Sequence, residues 1–407
     1  MASPDGTTQP GATDPSIAPQ PDPLAGQMPS PLTNPTAFQS PVSSALTASL
    51  SPVSVAPNMI GDFFDIGGGA LVVSDPNLAT TNGFGFVSSN TAATIPSAAG
   101  IVGRQKISEN TSPIPRDRIF FNYSYFDNVP LTDGGVDINR FTPGFEKTFF
   151  DQNASIELRV PFASTLDNNI YLGSSPDDNE LELGNMHLAL KALLYSDGER
   201  AVSAGLALNL PTGDDLRVIA PNGRELVIIE NESVHIMPFV GFVQAPQFDG
   251  FFLHGFVQGD FDANGNDVRL NNGTGLANVG TLNDVNLIYA DVGIGYWLFR
   301  DRNASHISGF APTAELHYTR SLNDSDLIVD RSGNVQGATV AIGSNNDRIE
   351  ILNAVVGATM LCGDNSTLTV GYATPLINDG DTQFDGELRV MFNYYFGAGA
   401  GRQYLPY

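Results

Sequence analysis

The feature that most constrains this chain is a rhythm. From Arg116 onward, segments of ten to sixteen residues recur in which apolar and polar side chains alternate, with turn-forming residues between them. That is the pattern of strands crossing a bilayer as a closed barrel. Twelve segments are expected, near 116–128, 139–150, 153–163, 184–196, 199–210, 232–245, 250–261, 285–299, 306–321, 348–361, 365–375 and 384–396. Their connections alternate as well. Short ones (Phe150 to Asn153, Ser196 to Glu199, 245–250, 300–305, Gly363 to Asn365) interleave with longer ones near 129–138, 164–183, 211–231, 262–284, 322–347 and 376–383. Outer-membrane barrels have short periplasmic turns and longer extracellular loops. The alternation therefore predicts an all-β transmembrane antiparallel barrel of about twelve strands, with both chain ends in the periplasm. A soluble sandwich or propeller has no reason to collect its long connections at one end.

Within the strands, charge keeps to one face. In the last one, Leu388, Val390, Phe392, Tyr394 and Phe396 alternate with Glu387, Arg389, Met391, Asn393 and Tyr395. In the third, Ile156, Leu158, Val160 and Phe162 oppose Ser155, Glu157 and Arg159, and in the fourth the leucines oppose His187 and Lys191. In the eighth, Ala290, Val292, Ile294, Tyr296 and Leu298 oppose Asp291 and two glycines. A soluble barrel would turn its apolar face inward, and alternation alone does not separate the two cases. Strand length and loop asymmetry do, because tilted strands of ten or more residues match a bilayer, whereas ordinary strands have about five or six. Tyr123, Tyr125, Tyr296, Trp297, Tyr318, Tyr372, Tyr394 and Phe396 are expected at the membrane interfaces.

Composition removes other classes. A net charge of -25 with 19 Lys and Arg argues against nucleic acid as a partner. Cys362 is the one cysteine, so neither an internal disulfide nor a multi-thiolate zinc centre can form. No run of 18 apolar residues occurs, which rules out a spanning helix and leaves a barrel untouched. Met1 to Pro35 show neither a basic n-region nor a hydrophobic h-region, implying a trimmed signal or a misplaced start.

Four regions follow. Residues 1–57, with twelve prolines and no Lys or Arg, are expected to be a disordered periplasmic arm. Residues 58–115 carry Met59, Ile60, Phe63, Phe64, Gly67-Gly68-Gly69 and Leu71-Val72-Val73; they read as an irregular segment, either a lumen plug or a periplasmic flap. Residues 116–396 form the barrel, and 397–407 a periplasmic extension.

The strand Gly386 to Phe396 resembles the C-terminal signal strand of outer-membrane barrels, which ends in an aromatic residue, although eleven residues follow it here. The resemblance implies recognition by the barrel-assembly machinery. Strand five and its exit, Ala201 to Leu210 then Pro211-Thr212-Gly213-Asp214, is similar to the Leu-Pro-Thr-Gly step of the outer-membrane family named for the meta pathway of phenol degradation. The likeness covers about 116–396. It implies a channel for diffusion or uptake of small molecules, hydrophobic ones included, with outer-membrane lipid and the solute as partners.

The face assignment makes Arg118, Glu157, Arg159, Lys191, Asp291, Glu315, His317, Glu387 and Arg389 pore-lining, with His187 and His254 beside them. Such charges either pair across the interior or set ion preference. Asp260, Asp262 and Asn264, followed by Gly265, match the opening of a calcium loop, but position twelve is Asn271 and an acidic turn is the plainer reading. No other cofactor is expected. A twelve-stranded outer-membrane phospholipase with a Ser, His and Asn site exists, but no residues here match its motif, and no Gly-x-Ser-x-Gly occurs. No catalytic residue is therefore expected. Three functions stand: a channel first, a surface or structural barrel with a plugged lumen second, an outer-membrane enzyme last.

Overall fold

The computed structural model describes residues 56–65, 69–74, 90–132, 134–172, 180–246, 250–301, 304, 306–335, 338–343, 348–377 and 381–397. The expectations for the arm up to residue 55 and for the tail beyond 397 lie outside these residues.

Twelve antiparallel strands close on themselves. They are β1 (Arg118–Val129), β2 (Val136–Phe149), β3 (Ala154–Arg159), β4 (Met186–Ser196), β5 (Arg200–Leu210), β6 (His235–Gln244), β7 (Phe251–Asp262), β8 (Leu287–Tyr296), β9 (Ile307–Ser321), β10 (Glu350–Cys362), β11 (Ser366–Pro375) and β12 (Gly386–Tyr395). Each pairs with the next, and β12 returns to β1 from Gly386 opposite Asp127 to Tyr395 opposite Arg118. Closure removes the sheet edge that lipid could not solvate. Pro161 lacks an N–H and interrupts β3. The neighbouring Val160 N–H still donates to Pro143 O at 3.1 Å, and pairing resumes at Phe162–Thr165 against β2 and against Glu180–Leu183.

The two ends differ. One end holds tight turns, such as Phe150-Asp151-Gln152, all at positive φ (50°, 53° and 66°). At the other, three loops fold into a five-stranded sheet ordered Leu276–Leu282, Asn266–Asn271, Glu225–Ile229, Leu216–Ile219 and Asn169–Tyr171. The first connection at this end spans only 130–135, because β1 and β2 stay paired past a bulge to Val129 opposite Val136.

Side-chain alternation is sharp. Ile119, Leu190, Ile294 and Val356 project outward, while their sequence neighbours Arg118, Lys191, Gly293 and Val355 turn in. One girdle expectation fails: Trp297 is only 5% exposed and packs on Phe252 at 6.4 Å. Trp297 N–H bonds Gly250 O at 2.8 Å, and with Tyr296 and Leu298 outward on either side its ring turns inward to join Ala56, Ile114 and Tyr395.

The lumen is filled by the chain segment that precedes β1. A first pass, 56–65, starts beside Trp297 and Tyr395 at the short-turn end. The chain emerges at the long-loop end as a hairpin, Gly69–Ser74 with Asn90–Ile95. Gly69–Ser74 also pairs with Ala338–Gly343, itself paired with Leu327–Val335. A second pass, 96–117, then descends to β1. The passes are antiparallel, with Met59 N bonded to Thr111 O (2.9 Å) and Arg104 N to Asp65 O (3.3 Å). Ala56 and Pro57 are buried with the first pass, so the boundary expected at residue 57 falls inside the lumen segment. Leu71, Ile95, Val340 and Ile342 join Leu216, Val227, Val268 and Leu282 in one apolar cluster, which ties the hairpin to the loop sheet.

Candidate functional site

The insert fits the wall as shape and as charge. Ile60 lies against Gly357 on β10 and Gly371 on β11, where a Cβ would come within 2.6 and 2.7 Å of its methyls. Gly61 sits at φ +78°, and a Cβ there would meet Glu109 Cα at 2.7 Å and Arg389 Nη1 at 3.0 Å. Only glycine permits that backbone turn and that approach.

The charges divide the wall into two sides. On β12 and β1 to β4 stand Arg118, Arg140, Arg159, Lys191 and Arg389, with Glu146, Glu157 and Glu387 among them. Arg118 reaches Glu146 and Glu157, both at 2.7 Å; Lys191 reaches Glu146 at 3.0 Å; Arg389 reaches Glu387 at 2.5 Å. Arg140 gains its carboxylate from the insert: Glu109 Oε2 lies 2.8 Å from it and 3.2 Å from Arg389. The same cations hold insert carbonyls. Arg140 donates to Phe63 O and Arg104 O, Arg159 to Lys106 O and Ile107 O, Lys191 to Ser112 O, and Arg389 to Ile60 O.

The opposite side, β6 to β9, is acidic. Lys106 Nζ lies 3.0 Å from Asp291 on β8 and 2.5 Å from the insert's Asp62. His317 joins both carboxylates, at 2.9 and 3.0 Å, and bonds Glu315 at 2.9 Å. Glu315 accepts the N–H groups of Ile60 (2.8 Å) and Gly61 (3.0 Å). Asp62, Asp291 and His317 are spaced as metal ligands would be, but the Lys106 ammonium stands among them. Nearer the long-loop end, Arg104 meets Asp65 and Asp260, and His235 bridges Asp260 at 2.7 Å and Asp284 at 3.2 Å. Asp284 lies in the loop above the strands. Burial pushes its carboxyl up, but the His235 bond and the charge of Arg104 outweigh this and hold it below its ordinary value.

All nine residues read as pore-lining are thus buried inside the wall. They form three groups: Arg118, Glu157, Arg159 and Lys191; Asp291, Glu315 and His317; Glu387 and Arg389. Of the calcium-loop residues, Asp260 faces the lumen. Asp262 caps its turn, Oδ1 accepting the N–H groups of Asn264 (3.0 Å) and Gly265 (2.8 Å) and Oδ2 that of Asp284 (2.7 Å). Asn264 Oδ1 accepts Val234 N–H at 2.9 Å. Sequence reading missed Arg140 and Glu146, although Val136, Ile138, Arg140, Thr142 and Glu146 alternate with outward Phe141 and Phe145. It also missed Asp62, Arg104, Lys106 and Glu109, which lie in a segment without periodicity.

No family model matches the chain, and no curated protein does. Among solved structures it is similar to an outer membrane channel from Pseudomonas putida F1 (12% identity, TM-score 0.46, 70% of this chain and 97% of that one). It is also similar to the Pseudomonas putida toluene transporter TodX (8%, TM-score 0.38, 83% and 99%) and to the NanC porin (10%, TM-score 0.38, 68% and 100%).

Proposed function

We propose that this protein is an outer-membrane channel for small molecules whose lumen is closed at rest by its own residues 56–65 and 96–117. The observation that carries the reading is the chemistry of the closure. A barrel meant only to stay shut could be packed with apolar side chains, since exchanging buried ion pairs for well-packed hydrophobic residues is often neutral or stabilising by about 1–4 kcal/mol. Here the wall keeps Arg118, Arg140, Arg159, Lys191, Asp291, Glu315 and Arg389, all buried. Ionisable residues at membrane depth are the equipment of a passage that is wet when in use. The insert belongs to no wall strand, so its shift would leave the twelve-stranded ladder closed. In this reading both chain ends face the periplasm, the long loops face outward, and β12 is the strand offered to the assembly machinery.

Planar-bilayer recording tests it. The full chain should conduct in brief openings, and Lys106→Met with Glu109→Gln, which loosens the insert on both sides, should lengthen or enlarge them. Silence from both proteins, with normal heat-modifiable gel mobility, would overturn the channel. It would favour the second reading, a closed envelope barrel, whose support is the pairing of Gly69–Ser74 with Ala338–Gly343 that anchors the insert at the far end.

A further inference from the structure

The insert occupies one part of the wall in a way that describes a ligand. The Arg140 guanidinium has Glu109 Oε2 at 2.8 Å, the Phe64 ring at 5.9 Å and the Phe126 ring at 4.9 Å. Phe64 and Phe126 meet edge to face at 4.9 Å. Around them the wall is apolar, with Ile138, Ala163, Phe384 and Met391 in one buried cluster. Arg389, 3.2 Å from the same Glu109 oxygen, completes a two-guanidinium seat. Once the insert moves, the wall itself retains Arg140, Arg389, Phe126 and the apolar cluster. The insert withdraws an aromatic ring and a carboxylate.

We propose that this wall is a binding site for small aromatic carboxylates, held at rest by Phe64 and Glu109 as a built-in stand-in. Arginine suits the task because its planar fork bonds a carboxylate with two donors and stacks on rings, and it stays charged when buried. Wall carboxylates satisfy only part of the seat. Glu387 pairs with Arg389, but among the described residues the carboxylate within ion-pair distance of Arg140 is that of Glu109. A neutral aromatic solute would leave the Arg140 guanidinium without a bonded anion, Arg389 keeping only Glu387, a penalty for buried charge. The site therefore discriminates by charge as well as by shape. The proposal rests on the channel reading, deepening it by naming a solute class.

The test is equilibrium binding of benzoate, with benzamide as the neutral match, to the full chain in detergent. Glu109→Gln removes the resident carboxylate and should tighten benzoate binding by about tenfold or more, leaving benzamide unmoved. Arg140→Lys keeps the charge but loses the fork, and should abolish that gain in the Glu109→Gln background. Heat-modifiable mobility checks folding of each variant. Equal affinity for benzoate and benzamide in Glu109→Gln, or a benzoate gain that survives Arg140→Lys, overturns the site. Vesicle efflux separates this from the parent reading. Release of neutral solutes without any benzoate binding sinks the site and keeps the channel, whereas benzoate binding without release of any solute sinks the channel and keeps the site.

Discussion

Asp291 and Val292 are neighbours in β8 and meet opposite surroundings. Val292 is 39% exposed on the outer face, where neighbours such as Ile294 share an apolar band. Asp291 is 4% exposed and answers to named partners, Lys106 and His317, one of them 185 residues earlier. The outer face is specified by a class of side chain, and the inner face by individual pairings. A substitution that keeps the class should pass outside and fail inside.

The largest effect should come from breaking an inner pairing. Lys106→Met leaves Asp62 and Asp291 facing each other with only His317 between them. Removing one member of a buried ionic group costs roughly 3–5 kcal/mol, read as a lower denaturant midpoint in detergent. Replacing Asp62 and Asp291 by Leu in the same chain should recover most of that loss. If the triple variant is no better than the single one, the charges are not the reason for the insert's seat.

Val292→Arg comes next, at about 2–4 kcal/mol for a cation near the middle of the lipid face, while Val292→Leu should be silent. On the inner side of the same strand, Gly293→Ala adds one methyl 2.7 Å from His254 Nε2 and 3.0 Å from Glu315 Cγ. Overpacking of that kind costs roughly 1–3 kcal/mol. A harmless Gly293→Ala would mean that the lumen has slack around His254, against the tight fit seen there.

These comparisons also explain what the sequence could reveal. Outer-face residues announce themselves by period two, so strand number, strand faces and the inward place of Arg159, Asp291 and Arg389 were legible without a structure. So was the short and long alternation of the loops, save at the first connection, which pairing of Val129 with Val136 shortens to 130–135. The fate of the inward charges was not. Arg140 and Asp291 find partners in Glu109 and Lys106, which sit in an aperiodic stretch shaped by the cavity rather than by its own hydrogen-bonding pattern. Trp297 was misplaced because its nearness to a strand end was taken as a girdle position, although outward Tyr296 and Leu298 on either side already put it on the inner face. The acidic turn around Asp262 was recognisable, whereas the inward bond of Asp260 to His235 depends on β6 and β7 being neighbours.

The smallest effect should lie in the loop sheet, where partners exist but water competes for them. Arg269 and Glu230 form a pair at 2.8 Å with side chains 47% and 20% exposed. Geometry alone would rank it with the Arg140 to Glu109 contact, also 2.8 Å but 1% and 4% exposed. Exposure decides otherwise, because a solvated pair gains little Coulomb energy, loses side-chain freedom and is screened by salt, for a net of about 0–1 kcal/mol. Arg269→Ala should therefore shift the unfolding midpoint within error at physiological salt. Any small loss should vanish as salt rises, because ions reach the pair. Arg140→Ala should remain costly at every salt concentration, since its partner is sealed behind the wall. A salt-insensitive loss at Arg269 would show that the loop sheet is as closed to water as the lumen, and would erase the distinction between the two regions.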